Sequence, residues 1–248
     1  MADRDVVFRV KRYRPEGGGK PSYQEYRIPY RDDMVVLDGL NYIKDAVDPT
    51  LSYRWSCRMG ICGSCGANVN GQPRLTCGTY IRDVHRGTVT IDPLANFPII
   101  RDLVVDFDDF LNKLVSVTPF IVREKEGDPT KEYLQYPEDV EAYKQQSLCI
   151  NCMLCYAACP VFGGSPDFVG PAASAIALRY IRDSRDEGAD GRLARLNTKS
   201  GVWDCTFIGE CSVVCPKDVD PAAAIQTLKF LATMRHMRRL LMPKAASR

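Results

Sequence analysis

The sequence predicts an α+β protein in which an N-terminal domain of strands and helices precedes an all-helical domain. Residues 6–13 and 23–30 are rich in β-formers and flank the turn-rich segment PEGGGKPS, which indicates a β-hairpin. Residues 34–47 carry apolar side chains at helical spacing, with Asp32 or Asp33 available as the N-cap. In the second half of the chain the periodic segments are helical, so we expect the strands in the first half.

A composition change in the middle of the chain marks the boundary between the two domains. Residues 116–137 contain three prolines, a glycine and many charges, which is typical of an interdomain connection. The predicted domains are therefore residues 1–115 and 138–248. The other predicted elements are a strand at 87–93, a helix around 103–114, and helices over 138–147, 170–186 and 220–242, of which the last two have Pro171 and Pro221 in their first turns and the last has Asp220 as N-cap.

The overall composition is that of a globular protein, with 45% hydrophobic and 26% charged residues. The formal net charge of +2 is too small to indicate a nucleic-acid partner. No segment approaches the roughly 20 consecutive apolar residues that cross a bilayer. The charged N-terminus also lacks the apolar core of a secretion signal. We therefore expect a protein that stays in the cytosol and contacts any membrane only peripherally.

The eleven cysteines are the most informative feature of the composition. An odd number in a chain of this length without a secretion signal indicates metal ligation rather than disulfides. All of them fall into three groups, at 57–77, 149–159 and 205–215.

The first group has the spacing C-x4-C-x2-C-x11-C, which is typical of a plant-type [2Fe–2S] site. Three thiolates must come from one tight loop, whose backbone has to curl around the sulfides. Gly60, Gly63 and Gly66 supply the conformations and the close approach that this requires. A four-thiolate zinc site is the alternative, but zinc sites rarely need three neighbouring glycines. The predicted ligands are Cys57, Cys62, Cys65 and Cys77.

The second and third groups share the frame of a bacterial ferredoxin, C-x2-C-x2-C-x3-C-P. The second is complete, whereas Ile208 stands at the second cysteine position of the third. In two-cluster ferredoxins the fourth cysteine of each run ligates the other cluster. That rule predicts a [4Fe–4S] cluster on Cys149, Cys152, Cys155 and Cys215. It leaves three thiolates, Cys159, Cys205 and Cys211, for a [3Fe–4S] cluster whose open corner faces Ile208.

No residues of the sequence indicate an organic substrate site, so we predict no catalytic residue. The two histidines, His85 and His236, have neither a cysteine group nor an acid–base partner beside them in the sequence. A glycine-rich dinucleotide fingerprint is also missing, so a flavin or nicotinamide must belong to a partner.

The chain closely resembles the iron–sulfur subunit of succinate dehydrogenase and quinol:fumarate reductase, the complex II family. The resemblance rests on SCRMGICGSCG, CINCMLCYAACP, PDFVGPAA, DSRD and CPKDVDPAAAI. It implies a plant-ferredoxin-like β-grasp domain over residues 1–115 and a bacterial-ferredoxin-like helical domain after it. The implied partners are a flavoprotein with covalently attached FAD and a membrane anchor that carries quinone. Electrons from succinate would pass from the [2Fe–2S] to the [4Fe–4S] and [3Fe–4S] clusters and leave to quinone.

The resemblance also implies quinone-proximal residues, namely Pro160, Thr206, Ile208 and Lys229. The sequence departs from some members of the family here. Gly163 and Gly164 stand where a tryptophan pair occurs, and Thr206 replaces a histidine. These differences favour a variant pocket, or a quinone site elsewhere in the anchor.

Three alternatives remain open from the sequence. The same chain of clusters could run in reverse, in a fumarate reductase, because ligand spacing does not determine the direction. An iron–sulfur subunit of another flavoenzyme, such as a glycolate-oxidase-like complex, is disfavoured because it would lack the [2Fe–2S] module. A zinc-stabilised interaction protein is the alternative from a different class. For the main interpretation we expect a peripheral position on the cytoplasmic face of the bacterial inner membrane.

Overall fold

A mixed five-stranded sheet forms the centre of the N-terminal region. The computed structural model describes residues 4–85, 87–123 and 130–241. The strands are β1 (Arg4–Arg12), β2 (Ser22–Tyr30), β3 (Gly66–Val69), β4 (Gln72–Leu75), β5 (Thr88–Asp92), β6 (Ile99–Arg101) and β7 (Val104–Val105). The sheet has the order β2-β1-β5-β3-β4, and β6 and β7 form a separate antiparallel pair. Strand β1 pairs antiparallel with β2 and parallel with β5, while β3 runs antiparallel to both β4 and β5.

Most of the helices are short. They are α1 (Val36–Tyr42), α2 (Ile81–Val84), α3 (Asp108–Ser116), α4 (Pro137–Glu141), α5 (Lys144–Ser147), α6 (Leu154–Ala157), α7 (Pro160–Gly164), α8 (Pro171–Ile181), α9 (Ala189–Leu196), α10 (Glu210–Val213) and α11 (Pro221–Leu241). Helix α1 continues as a π turn at Ile43–Val47, and a second π turn spans Lys199–Trp203. Within the described part of the chain, no helix combines the length and the apolar composition needed to cross a membrane.

The chain packs into two compact units that are interleaved in sequence. The first combines Met1–Asp109 with Ile150–Ala158 and Val214–Lys217. The second combines Phe110–Cys149, Cys159–Val213 and Asp218–Arg248. Packing therefore divides both ferredoxin-like cysteine runs between the units, whereas the predicted domains 1–115 and 138–248 are continuous in sequence. The centre of the predicted connection, residues 124–129, lies outside the described residues.

Alternation of apolar side chains builds the core of the first unit. Val6, Phe8 and Val10 of β1 are fully buried, as are Ile28 of β2 and Leu40 of α1. The period of two places one face of each strand inward, and burying each such side chain contributes roughly 1.5–3 kcal/mol. The predicted hairpin and the predicted strand at 87–93 are thereby confirmed as β1–β2 and β5.

The predicted starts of the two helices with proline in the first turn are right, although α8 ends at Ile181 and not at the predicted residue 186. Helix α8 begins at Pro171, and the Asp220 carboxylate accepts the Ala223 N–H (2.9 Å) at the start of α11. The predicted cap of α1 is wrong. The N-cap residue is Val35, and neither Asp32 nor Asp33 occupies that position. The Asp38 carboxylate, in the first turn of the helix, accepts the Val35 N–H at 3.0 Å.

Two helix predictions fail locally. The helix predicted around 103–114 begins only at Asp108, because Val104–Val105 pairs as a strand with β6. The helix predicted over 138–147 is divided into α4 and α5, because Tyr143 leaves the helical conformation with φ −129° and ψ −1°.

A buried ion-pair network in the first unit fastens β1 to the segment that leads into the first cysteine group. The Arg12 guanidinium donates to Asp102 (3.0 Å) and to Asp48. The Asp102 carboxylate also accepts the N–H groups of Tyr13 (3.0 Å) and Ser52 (2.9 Å). The Thr50 hydroxyl and then Arg12 hold the pKa of Asp48 far below its usual range. The start of the cysteine loop is therefore tied to the centre of the sheet.

A second buried arginine organises the second unit. Arg192 on α9 pairs with Asp186 at 2.6 Å, and both side chains are almost completely buried. Its guanidinium also donates to the carbonyl oxygens of Val117, Thr118 and Phe120 at 2.6–3.1 Å. One side chain thus joins α9 to three carbonyl groups after α3, of which that of Val117 belongs to a buried residue.

We expect Arg192→Met to destabilise the protein by about 3–5 kcal/mol, because it removes the positive partner of the buried Asp186 carboxylate and a donor to the Val117 carbonyl oxygen. Arg195→Met, an exposed position on the same helix, serves as the matched control and should change stability by less than about 0.5 kcal/mol. Thermal unfolding of the cluster-loaded protein measures both. Equal midpoints for the two variants would contradict the role of Arg192.

Candidate metal centres

The first cysteine group forms a loop and a turn that are hydrogen-bonded to each other. Cys57, Cys62 and Cys65 lie between the π turn that follows α1 and strand β3, and Cys77 lies in the short 3-10 turn after β4. The carbonyl oxygen of Cys65 accepts both the N–H and the hydroxyl of Thr76, each at 3.1 Å. These bonds hold the fourth thiol beside the loop that carries the other three.

Backbone amides converge on the sulfur of Cys57. The N–H groups of Met59, Ile61 and Cys62 donate to Cys57 Sγ at 3.4, 3.4 and 3.3 Å. These amides lower the pKa of the Cys57 thiol to about 6. The loop therefore forms an amide-lined concavity that favours negative sulfur, as a thiolate–sulfide cluster requires.

Left-handed backbone at several positions produces this curl. Gly60 has φ +68° and Gly63 has φ +71°, so the predicted need for glycine is confirmed at both positions. Arg58 adopts the same region with φ 60°. Gly66 does not. It begins β3, and a side chain there would crowd Leu154 and the Cys152 carbonyl oxygen at 3.2–3.3 Å, so its role is close approach.

The buried thiol of Cys77 resists ionisation, in contrast to that of Cys57. Burial, followed by the neighbouring Cys65, raises the pKa of the Cys77 thiol to about 11. Four thiolates in this space need a positive centre to offset their charge. The donor set and its inward amides fit an iron–sulfur cluster.

The second cysteine run is divided between the two units. Cys152 and Cys155 are buried in Ile150–Ala158, and Cys215 lies in Val214–Lys217, so all three belong to the first unit. Cys149 belongs to the second unit. Asn96 donates its side-chain amide to the carbonyl oxygens of Tyr156 (3.0 Å) and Ala157 (3.1 Å), which holds the end of the segment against the first unit.

The remaining three thiols share one cleft in the second unit. Cys159, Cys205 and Cys211 line it together with Ile208, whose side chain is half exposed. The Phe162 N–H donates to Cys159 Sγ at 3.4 Å. Burial, with the charges of Cys159 and Cys205, raises the pKa of the Cys211 thiol to about 11. A cationic centre would therefore be needed here to hold the buried thiols of Cys159 and Cys211 ionised.

The two ferredoxin-like runs repeat the same backbone conformation. The second residue after the first cysteine is left-handed in both, Asn151 (φ 54°) and Phe207 (φ 60°). The fourth is left-handed as well, Met153 (φ 66°) and Gly209 (φ 88°). Ile208 thus has the same pair of left-handed neighbours as Cys152 in the complete run, with an apolar side chain in place of a thiol.

The predicted quinone-proximal residues lie at the three-thiol cleft. Pro160, Thr206 and Ile208 line it. Lys229 donates from Nζ to the Cys205 carbonyl oxygen at 2.8 Å, so it braces the loop that carries the thiol. Gly163 and Gly164 lie exposed in α7.

Ser212 provides a further support of this cleft that the sequence analysis did not identify. Its hydroxyl donates to Asp220 (2.5 Å) and accepts the Ala222 N–H (3.2 Å), which ties the helix of Cys211 to the start of α11. Phe207 was also missed, although its alignment with Asn151 could have indicated a left-handed residue. The ring of His85 packs against Tyr30, and His236 is exposed on α11. Across residues 4–85, 87–123 and 130–241, no three His, Cys, Asp or Glu side chains form a group that meets the geometry of a single metal ion.

Comparison with protein families agrees with these sites. A model described as a 2Fe-2S iron-sulfur cluster binding domain matches residues 7–112, and one described as a 4Fe-4S dicluster domain matches residues 145–219. The fold and the thiol sites thus define an iron–sulfur protein with a [2Fe–2S]-binding domain and a helical dicluster region.

Relatives identify the family. The chain is 54% identical to the fumarate reductase iron-sulfur subunit of Mycobacterium tuberculosis, over 98% of each chain. It is 38% identical to the succinate dehydrogenase iron-sulfur subunit of Paracoccus denitrificans, over 92% of this chain and 88% of that one. A chain of the solved Mycobacterium smegmatis Sdh1 complex in the apo form matches with a TM-score of 0.86 and 28% identity, over 95% of this chain and 98% of that one. The protein belongs to the iron–sulfur subunits of fumarate reductase and succinate dehydrogenase, which are parts of oxidoreductase complexes.

Phe207 yields a prediction because an exposed aromatic residue occupies left-handed backbone. We expect Phe207→Gly to be more stable than Phe207→Ala by about 1 kcal/mol, because alanine keeps the left-handed penalty and glycine removes it. Both variants lose the same ring, so their difference isolates the backbone. Unfolding midpoints of the two purified variants measure it. A more stable alanine variant would show that Phe207 is not strained.

Proposed function

We propose that this chain carries single electrons between a flavoprotein and membrane quinone through three clusters. The [2Fe–2S] cluster is held by Cys57, Cys62, Cys65 and Cys77, the [4Fe–4S] cluster by Cys149, Cys152, Cys155 and Cys215, and the [3Fe–4S] cluster by Cys159, Cys205 and Cys211. The observation that carries this proposal is the grouping of the cysteines, which agrees with an exchange of the fourth thiol between the two runs. Cys159 shares a cleft with Cys205 and Cys211, while Cys215 belongs to the same unit as Cys152 and Cys155.

The clusters supply reversible one-electron chemistry, and the chain controls their environment. Amides directed at Cys57 stabilise negative sulfur at the first site. At the third site the thiols of Cys159 and Cys211 are buried, and Ile208 presents an apolar group where a fourth thiolate would stand. An apolar side chain cannot ligate iron, so this site accommodates three irons rather than four.

We also propose a ferredoxin-type fold for each of the two predicted domains. The mixed sheet with α1 supports a β-grasp fold of the plant ferredoxin type for residues 1–115. The short helices that carry the two runs support an α-helical ferredoxin fold for residues 138–248, with 116–137 as the connection.

The proposed partners are a flavoprotein that carries FAD and a membrane anchor that supplies quinone. The names of the relatives support them, because a subunit of fumarate reductase or succinate dehydrogenase works with both. The exposed side chains of Phe207 and Ile208 at the three-thiol cleft are apolar, which suits contact with a quinone or with the anchor. Pro160, Thr206 and Lys229 complete the proposed quinone-proximal set. We propose a peripheral position on the cytoplasmic face of the bacterial inner membrane.

For the direction we favour fumarate reduction over the succinate oxidation that the family resemblance led us to expect. The relative at 54% identity is named a fumarate reductase subunit, and the one at 38% a succinate dehydrogenase subunit. Succinate oxidation in the tricarboxylic acid cycle is the second candidate, supported by the likeness to the Sdh1 complex.

Purification of the intact complex from native membranes tests the proposed function and its direction. Iron and sulfide analysis with low-temperature EPR should reveal all three clusters, including a three-iron signal in the oxidised state. In parallel assays of the same complex, the quinol:fumarate activity should exceed the succinate:quinone activity. Zinc without iron would refute the electron-transfer function, and a dominant succinate:quinone activity would reverse only the direction.

Ile208→Cys tests the ligand assignment. The new thiol stands on backbone that repeats the Cys152 position, so we expect conversion of the third cluster toward [4Fe–4S], with a lower potential and slower exchange with quinone. The oxidised-state EPR signal should fall in proportion to the conversion. Ile208→Val is the matched control, because it keeps an apolar group at that corner and should retain the signal. An unchanged signal in Ile208→Cys would contradict the exchange of thiols between the runs.

A further inference from the structure

Gly63 lies where the first cysteine loop meets the segment of the second run. Both belong to the first compact unit. A methyl group at Gly63 would stand 2.8 Å from the Ile150 carbonyl oxygen and 2.9 Å from Cα of Cys152. Contacts of this kind are normally about 3.5 Å or longer, so the two backbones would have to separate by roughly half an ångström.

This contact lies between a proposed ligand of each cluster. Cys62 precedes Gly63 and is a proposed [2Fe–2S] ligand, while Cys152 is a proposed [4Fe–4S] ligand. Gly66 approaches the same segment more loosely, with the Cys152 carbonyl oxygen 3.3 Å from the position of its absent side chain. Backbone therefore packs directly on backbone between the two ligand loops, with no side chain between them at Gly63.

We propose that Gly63 is a positioning residue that sets the distance between the [2Fe–2S] and [4Fe–4S] clusters, with Gly66 in a lesser role. This inference rests on the proposed electron-transfer function. One electron passes between the two centres, oxidising one and reducing the other, and no proton moves with it. The rate of that passage falls steeply with distance. Because glycine has no side chain, the two ligand loops can pack as closely as possible at position 63.

Gly60 provides the matched control. It lies in the same loop and has nearly the same φ, +68° against +71°, but no atom outside its immediate neighbours lies within 4 Å of a side chain built there. Gly60→Ala thus introduces the left-handed strain without the collision. Gly63→Ala introduces both, and Gly66→Ala introduces a mild contact without left-handed strain.

The experiment compares these three variants in the complex purified from membranes. The first measurement is the magnetic interaction between the two reduced clusters by EPR, and the second is the freeze-quench rate of electron transfer between them. Relative to Gly60→Ala, which carries the same left-handed strain, we expect Gly63→Ala to weaken the interaction clearly and to slow the transfer several-fold. Relative to the wild type, we expect Gly66→Ala to weaken the interaction slightly.

The outcomes separate this inference from the proposed function. Equal interaction and rate in Gly63→Ala and Gly60→Ala, or loss of the [2Fe–2S] signal alone in Gly63→Ala, would overturn the role of Gly63. If Gly63→Ala loses the [4Fe–4S] cluster, the test passes to Gly66→Ala. A magnetic interaction in Gly66→Ala equal to that of the wild type would overturn the proposal, and a weaker interaction would support it. A wild-type complex without these two clusters would instead refute the proposed function itself.

Discussion

Turning thiols inward from short loops requires backbone conformations that most residues resist. Every cysteine group contains left-handed residues: Arg58, Gly60 and Gly63 in the first, Asn151 and Met153 in the second, Phe207 and Gly209 in the third. Four are not glycine, and left-handed backbone costs roughly 1–2 kcal/mol for Arg58, Met153 and Phe207 and less for Asn151. The rest of the fold holds these loops in place. The Arg12–Asp102 network leads into the first loop, Asn96 holds the second, and Lys229 with Ser212 braces the third.

The surroundings of the thiols shift their pKa values in opposite directions. Burial raises the pKa of Cys77 and of Cys211, while amides lower that of Cys57. The buried thiols of Cys77 and Cys211 therefore need a nearby positive centre to ionise, whereas the amides already favour the thiolate of Cys57. In the first group an iron–sulfur cluster would supply that charge, and the amides at Cys57 favour the sulfur that remains negative. Folding around the loops and loading with metal are consequently coupled in free energy.

Much of this arrangement could be predicted because cysteine spacing and hydrophobic period are local. The hairpin, strand β5, the start of α8 and the Asp220 cap depend on neighbouring residues, and all were predicted. The cap of α1 and the β7 strand were not, because Asp38 and the pairing of Val104 with Arg101 compete with the local signals. The contact of Gly63 with Ile150 joins residues far apart in sequence, and no periodicity reports it. The interleaving of the two compact units was missed for the same reason.

The parallel pairing of β1 with β5 has a consequence for the order of synthesis. Residues 7–10 of β1 pair with residues 88–91 of β5, which are synthesised much later. All four cysteines of the first group lie between these two strands in sequence. A ribosome therefore releases the complete first ligand set before the strand that closes the sheet. Such non-local closure is slow compared with local helix formation. The nascent chain thus exposes these thiols during a defined interval, in which cluster delivery can precede final closure.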